Sequence, residues 1–171
     1  MRRLGLTLAV LALAAPAATP PEAQEARRRW ERMNQIRQEK FDRVLPGAMR
    51  DNGIDMWITM IREATYGTLW PDLGQGYAGT DGFYVFTDRG DGRIERAALG
   101  VNGYRLENSG AYDLFLPVDG LAEFVRERDP QRIGLNISRA IGPADTLSHS
   151  GYEQIVETLG KPWSERIVSA E

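Results

Sequence analysis

Hydrophobic side chains recur every three or four residues over residues 25–49, a spacing that predicts amphipathic helix. The phase of this pattern slips near its middle. Pro46 lies in the second half, where a proline removes one backbone hydrogen bond. The pattern therefore predicts two helices, or one long helix bent within residues 37–46, that end at Gly53. Residues 18–24 are predicted to form a short exposed linker before the helix.

Beyond Gly53 the hydrophobic pattern changes to the alternation that is typical of β-strands. Residues 54–60 place every second side chain on one face, whereas residues 83–86 are apolar throughout, as in a strand covered on both faces. Residues 88–92 are predicted to form a hairpin loop that leads to a returning strand over residues 93–99. Further short strands are predicted over residues 111–116, 132–137 and 166–169.

Two more helices complete the pattern. The first covers residues 118–129 and stops at Asp129, because Pro130 follows it. The second opens with a capping box from Ser150 to Glu153 and ends before Gly160. This order of elements predicts the α/β class: a mixed sheet flanked by helices and preceded by a long N-terminal helix.

Residues 62–82 are predicted to be a long irregular segment, because the stretch contains four glycines and a Trp-Pro pair. Long loops on a rigid sheet often carry binding residues, and this one is rich in aromatic side chains. Arg62, Tyr66, Trp70 and Tyr77 are therefore the candidate contacts with a partner or substrate. The alternative is that the aromatic side chains cover the edge of the core.

The first residues have the pattern of a secretory signal peptide. Arg2 and Arg3 precede a charge-free apolar run over residues 4–15, and small residues follow at the predicted cleavage site. Residues 1–17 are therefore predicted to be removed, which makes the protein exported, periplasmic or secreted, with no membrane association after cleavage. A retained membrane anchor is the alternative, although the run is shorter than the ~20 residues that span a bilayer.

Composition excludes several classes of site. The sequence has 0 cysteines and 1 histidine, which excludes disulfides, iron–sulfur clusters, cysteine zinc sites and metal sites built on several histidines. The net charge of −3 gives no general attraction to nucleic acid. The basic run over residues 27–32 is interpreted as a solvated helix face, because Glu25 and Glu39 each precede an arginine by four residues. No nucleic-acid partner is predicted.

Several short motifs are better explained without a ligand. Residues 74–79 match G-x-G-x-x-G but lead into a predicted strand instead of a helix, so a loop is favoured over a dinucleotide site. The acidic pair in the hairpin loop lacks the acid that a calcium loop needs at its twelfth position. His149 lies between two serines and is interpreted as a polar residue at a helix start. Asn136 begins a glycosylation sequon inside a predicted buried strand, and no glycan is predicted there.

Several stretches resemble, in order and spacing, the N-terminal domain of the pita-bread metallopeptidases, the group that contains Xaa-Pro aminopeptidase, prolidase and creatinase. The likeness covers most of residues 35–171. The predicted domain of this type therefore comprises residues 37–171, and a linker and N-terminal helix over residues 18–36 precede it. The stretches that carry it are residues 37–42 (RQEKFD), 46–50 (PGAMR), 53–58 (GIDMWI), 76–80 (GYAGT), 94–100 (IERAALG) and 147–149 (LSH).

This resemblance implies a ribonuclease-H-like α/β domain that precedes a larger catalytic domain. In the family, the catalytic domain holds two metal ions on two aspartates, one histidine and two glutamates. None of those ligands can be carried over to this sequence, and His149 does not match the family's metal histidine. The expectation is therefore that this chain has no catalytic residues, no metal ligands and no cofactor of its own.

Two hypotheses of different classes follow. In the first, the chain is the non-catalytic N-terminal domain of a secreted Xaa-Pro aminopeptidase-like enzyme, seen as a fragment or truncated product. The resemblance then implies a homo-oligomer, in which the domain helps assembly and borders the site for a peptide substrate. In the second, the chain is a free-standing exported binding module that has lost the peptidase domain. A hydrolase with a site of its own on the sheet is a third, weaker option.

Overall fold

The computed structural model describes residues 21–63 and 69–171, so the predicted signal peptide and Tyr66 lie outside the described residues. The helices are α1 (Pro21–Arg43), α2 (Leu45–Asp51), α3 (Trp70–Leu73), α4 (Tyr104–Glu107), α5 (Leu121–Arg128) and α6 (His149–Leu159). The strands are β1 (Met56–Arg62), β2 (Tyr77–Asp88), β3 (Ile94–Asn102), β4 (Leu114–Leu116), β5 (Ile133–Leu135) and β6 (Ile167–Ser169). These elements confirm the α/β class.

The long N-terminal helix is broken once, between α1 and α2, at Val44. Pro46 lies in the first turn of α2, where its missing N–H costs nothing, and the chain leaves α2 through Gly53 in the left-handed region. The predicted bend is therefore confirmed. The predicted linker over residues 18–24 is wrong over residues 21–24, which already lie in α1, because a proline is compatible with a first helical turn.

The strands form one mixed sheet in the order β4-β3-β2-β1-β5-β6. β2 is antiparallel to both of its neighbours, whereas β3–β4, β1–β5 and β5–β6 are parallel pairs. The predicted hairpin joins β2 to β3, and Arg89 N–H donates to the carbonyl oxygen of Arg93 at 3.0 Å. The three longest strands, β1, β2 and β3, thus lie side by side, with strands of three residues at both edges.

Both faces of the sheet are covered by helices, so the domain has three layers. On one face α5 and α6 pack against Phe83, Val85 and other strand side chains. On the other face α1 to α4 pack against Tyr84 and Phe86. All four of these consecutive residues are buried, and they point alternately to the two faces of the sheet. This confirms that residues 83–86 form a strand covered on both sides.

Several sequence-based boundaries were wrong: for example, the strand predicted over residues 54–60 is β1 (Met56–Arg62), and the strand predicted over residues 111–116 is reduced to β4 (Leu114–Leu116). Residues 62–82 are not one irregular segment, because Arg62 ends β1, residues 70–73 form α3, and β2 begins at Tyr77. Two of the glycines that suggested a loop, Gly79 and Gly82, lie in a bulge of β2, where the β2–β3 register shifts between Ala78 and Phe83. The N-cap of α6 is Ser148 instead of Ser150, since Ser148 Oγ accepts from Gly151 N–H at 3.1 Å.

Candidate functional site

A groove of about 590 Å³ lies between α1, α3 and α4. We call it the α1 groove. Most of its surface is apolar, and its large apolar lining residues are Trp30, Met33, Trp70 and Leu106. Its charged lining residues are Glu22, Glu25, Arg29, Arg37 and Arg105.

Trp70 also lines a second, more open depression, together with Tyr77 and Tyr104. We call this depression the tyrosine face. Tyr77 is 58% exposed and Tyr104 is 79% exposed, so both rings present apolar surface to solvent. Trp70 therefore contributes to two concave surfaces, both of which have aromatic walls. Such surfaces are common places for recognition of a partner or ligand.

The backbone beneath Trp70 is fixed from the buried side. Four consecutive carbonyl oxygens at the end of α3 accept hydrogen bonds from buried side chains. Arg37 donates to the carbonyls of Pro71 and Asp72 at 3.0 and 2.8 Å. Tyr112 donates to the carbonyl of Leu73 at 2.6 Å, and Tyr84 donates to that of Gly74 at 3.5 Å. We call these three side chains the carbonyl clamp; it satisfies carbonyl groups that the end of a short helix leaves free.

Burial governs the ionisation of the carbonyl clamp. Removal from water raises the pKa of the Tyr84 and Tyr112 phenols, because the phenolate form loses its hydration. Both phenols are therefore neutral O–H donors at physiological pH. Burial also lowers the pKa of Arg37, although a guanidinium keeps its charge at any physiological pH. The clamp thus contains one buried positive charge beneath the α1 groove.

The glycines of the G-x-G-x-x-G stretch are explained by packing. A Cβ atom at Gly76 would lie 2.4 Å from Val101 Cγ1 and 2.7 Å from the Tyr84 hydroxyl oxygen, which no side chain can tolerate. Gly74 has φ of +108°, a conformation that favours glycine. Both glycines therefore allow the chain to pass from α3 into β2 close to the core, and the stretch is followed by a strand instead of a phosphate-binding helix.

Arg62 lies apart from this surface, in a polar network between the end of β1 and the start of α6. Its Nε pairs with Asp81 Oδ1 at 2.9 Å, and Nη2 donates to Gln154 Oε1 at 2.9 Å. Gln154 Nε2 donates in turn to Asp81 Oδ2 at 2.9 Å. A third nitrogen, Nη1, donates to Ser150 Oγ at 3.1 Å. Arg62 therefore joins the bulge of β2 to the first turns of α6.

The structure thus brings together two of the four candidate contact residues, Trp70 and Tyr77, and places Arg62 elsewhere, while Tyr66 lies outside the described residues. Sequence reasoning missed Trp30, Arg37 and Arg105. A signal for Arg37 was present, since it occupies a buried position of the α1 stripe between Asn34 and Phe41. An arginine at a core position requires acceptors, which is what the α3 carbonyls supply.

The basic run of α1 is arranged in surface ion pairs. Glu25 accepts from Arg28 at 3.0 Å and Arg29 at 2.8 Å, and Arg27 pairs with Glu31 at 2.8 Å. The predicted Glu25–Arg29 pair is confirmed, whereas Glu39 accepts from Gln35. Such exposed pairs stabilise a helix only weakly.

The other candidate residues, His149 and Asn136, lie outside the α1 groove and the tyrosine face. His149 is exposed and lies 3.2 Å from Glu153 on the same helix. Asn136 is buried and accepts from Trp57 Nε1 at 3.1 Å. Within residues 21–63 and 69–171, no three histidine, aspartate or glutamate side chains come together as metal ligands. In those same ranges no helix is both long enough and apolar enough to cross a bilayer.

The comparisons with known proteins give one structural similarity. No protein-family model matches the sequence, and no curated protein matches it. Among solved structures, an Xaa-Pro dipeptidase from Bacillus anthracis is similar to this chain with a TM-score of 0.42 and 17% sequence identity. The match covers 82% of this chain and 33% of the dipeptidase chain, so this sequence spans about a third of the length of that protein.

Proposed function

We propose that this chain is a non-catalytic binding domain of the creatinase/prolidase N-terminal type. In this proposal it has the ribonuclease-H-like fold, is exported, and belongs to an Xaa-Pro aminopeptidase-like metallopeptidase. There it supports homo-oligomer assembly and borders a peptide-substrate site. The observation that carries a binding role is that Trp70 and Tyr77 line the same open depression, next to a backbone segment that is held by the carbonyl clamp.

The position of the stretches that resemble the family supports this proposal. Residues 76–80 open β2 beside Trp70, and residues 37–42 contribute Arg37 of the carbonyl clamp and the core residue Phe41. Two of the six stretches that carry the resemblance therefore contribute to the candidate surface and its support. A fixed backbone beneath exposed aromatic rings lowers the entropy cost of binding, because the rings lose little freedom when a partner docks.

A free-standing exported binding module is the second candidate function. It is favoured by the α1 groove, whose two tryptophan walls, Trp30 and Trp70, both come from this chain. A module of this kind needs no second domain to form a concave binding surface. The nucleotide sequence after the Glu171 codon separates the two candidates: a continuing reading frame supports the enzyme domain, and a stop codon supports the free module.

The first prediction concerns catalysis. Purified residues 18–171 are expected not to cleave Xaa-Pro peptides with manganese, cobalt or zinc added, because a dimetal hydrolase needs several carboxylates around an open metal position. Peptide cleavage followed by chromatography measures this. Metal-dependent turnover that disappears when acids of this chain are replaced would overturn the non-catalytic assignment.

The second prediction concerns Trp70 in a full-length parent enzyme. Trp70→Ala is expected to lower peptide turnover by about fivefold or more while the melting temperature changes by less than about 2 °C, because the half-buried ring lines two concavities and lies outside both hydrophobic core clusters. Steady-state kinetics and calorimetry measure the two quantities. Phe115→Ala, which removes a partly exposed ring from the edge strand β4, is the matched control and should leave turnover unchanged. An unfolded variant whose remaining folded fraction is fully active would place Trp70 in the core and contradict the proposal.

A further inference from the structure

Two guanidinium groups line the α1 groove without a carboxylate at salt-bridge distance among the described residues, although the Asp72 carboxylate, which pairs with Lys40, also attracts Arg37. Arg37 is 6% exposed, and it donates to Asn34 Oδ1 at 2.6 Å in addition to its two bonds to α3 carbonyls. A guanidinium carries five N–H donors, so two donors of Arg37 have no acceptor within residues 21–63 and 69–171. Arg105 is exposed and donates to the neutral amide oxygen of Gln75 at 2.7 Å.

The acidic side chains of the groove do not compensate these two cations. Glu25 is already paired with Arg28 and Arg29 on the outer surface of α1. Glu22 is exposed in the first turn of α1. The groove therefore offers a buried cation and a second cation that has a neutral partner, on a protein whose net charge is −3.

The rest of the groove suits an apolar group. Trp30, Met33, Trp70 and Leu106 supply apolar walls, and the volume of about 590 Å³ lies within the roughly 300–1,000 Å³ of ligand pockets. An anion that reaches Arg37 would recover part of the hydration that this side chain loses on burial, and charge-assisted hydrogen bonds to guanidinium are among the stronger ones. An apolar wall combined with two guanidinium groups is complementary to an amphiphilic anion.

We propose that the α1 groove binds an organic carboxylate, whose apolar ring or chain lies against Trp30 and Trp70 and whose carboxylate is directed to Arg37 and Arg105. The carboxylate can come from a free small acid or from the carboxyl terminus of a peptide. The inference is independent of the proposed function, because it requires neither a parent peptidase nor an oligomer.

The test is a titration of the purified, ¹⁵N-labelled chain with two matched pairs of probes. One pair is 3-phenylpropionate and 3-phenylpropionamide, and the other is acetyl-Ala-Phe with a free carboxyl terminus and the same peptide amidated. Each acid is expected to shift the amide signals of Gln75 and Leu106 and the Arg37 Nε–H signal, and to bind about tenfold more tightly than its amide. Binding of only the peptide acid identifies a chain terminus as the source, and binding of only the small acid identifies a free metabolite.

Two variants of the exposed Arg105 avoid the risk of unfolding. Arg105→Gln is expected to weaken acid binding about fivefold and Arg105→Glu to abolish it, whereas Arg139→Gln, which removes an exposed arginine that does not line the groove, leaves it unchanged. Equal affinity for acid and amide, unchanged binding in both Arg105 variants, or no shift at about 20 mM of either acid would each overturn the proposal. None of these results depends on peptidase activity or on Trp70→Ala in a parent enzyme.

Discussion

Phe86→Ala is expected to lower the free energy of unfolding by about 3–5 kcal/mol, the usual cost of removing a fully buried ring. Phe86 is 0% exposed near the end of β2, which lies between β3 and β1 in the sheet. Its ring stacks on Trp57 at 5.0 Å between centroids and meets Phe41 edge-on at 4.9 Å. The substitution thus removes contacts that join the sheet to α1. Chemical denaturation followed by circular dichroism measures the change.

Phe115→Ala is the matched control for Phe86→Ala. Phe115 is 39% exposed on the edge strand β4, and its ring meets only Tyr112 among the described aromatic side chains, at 6.1 Å. The same chemical change should therefore cost about 1 kcal/mol or less at this position. Equal losses at the two positions would show that the aromatic contacts around Phe86 do not hold the helical layer against the sheet.

Arg37→Ala is expected to lower the free energy of unfolding by about 2–4 kcal/mol. The variant removes a donor to the carbonyl oxygens of Pro71 and Asp72, and it leaves Asn34 buried without that partner. The loss of the buried charge itself offsets part of this cost, because that charge no longer has to be desolvated. The estimate is therefore below the sum of three separate hydrogen bonds to a charged group. Urea denaturation measures the difference.

Arg29→Ala provides the comparison on the same helix. Arg29 has a side chain that is 77% exposed and pairs with Glu25 on the surface of α1, so its removal should cost less than about 0.5 kcal/mol. Arg37 is buried and donates to backbone carbonyls, whereas Arg29 is exposed and pairs with a surface carboxylate. A destabilisation of Arg37→Ala as small as that of Arg29→Ala would mean that the carbonyl clamp contributes little to folding.

The elements that the sequence predicted well are those with local signals. Pro46 and the change of hydrophobic phase located the break between α1 and α2, and the acidic, glycine-rich residues 88–92 located the hairpin. The apolar residues 83–86 identified the central strand. In each case a few neighbouring residues determine the backbone path, so a short stretch of sequence is sufficient to predict the element.

The parts that sequence did not predict depend on distant partners. The sheet order places β1 beside β5, with Met56 opposite Ile133, and no local pattern specifies that pairing. The start of β2 at Tyr77 was not predicted, because glycines that are required by close packing against the core cannot be told apart in sequence from glycines of a loop. The position of Arg37 in the helical stripe indicated that it needs acceptors, but these acceptors could not be identified, since they lie 34 and 35 residues further along the chain.

The candidate site was predicted only in part for the same reason. Trp70 and Tyr77 are close in sequence, and they are indeed neighbours at the tyrosine face. Trp30 and Arg105 reach the α1 groove from helices that the sequence cannot place relative to α3. Arg62 belongs to a different surface because β1 carries it toward α6 instead of toward α3.

The short strands at the two edges of the sheet have a consequence for the protein in a crowded compartment. An edge strand can pair with the edge of another molecule, which is a common first step of aggregation. β4 and β6 each offer only three residues, and Pro117 directly follows β4, where it can donate no hydrogen bond to an added strand. The longest strand, β2, lies between β1 and β3, and each of these two has a three-residue strand on its outer side. The folded domain is thereby protected against edge-to-edge association.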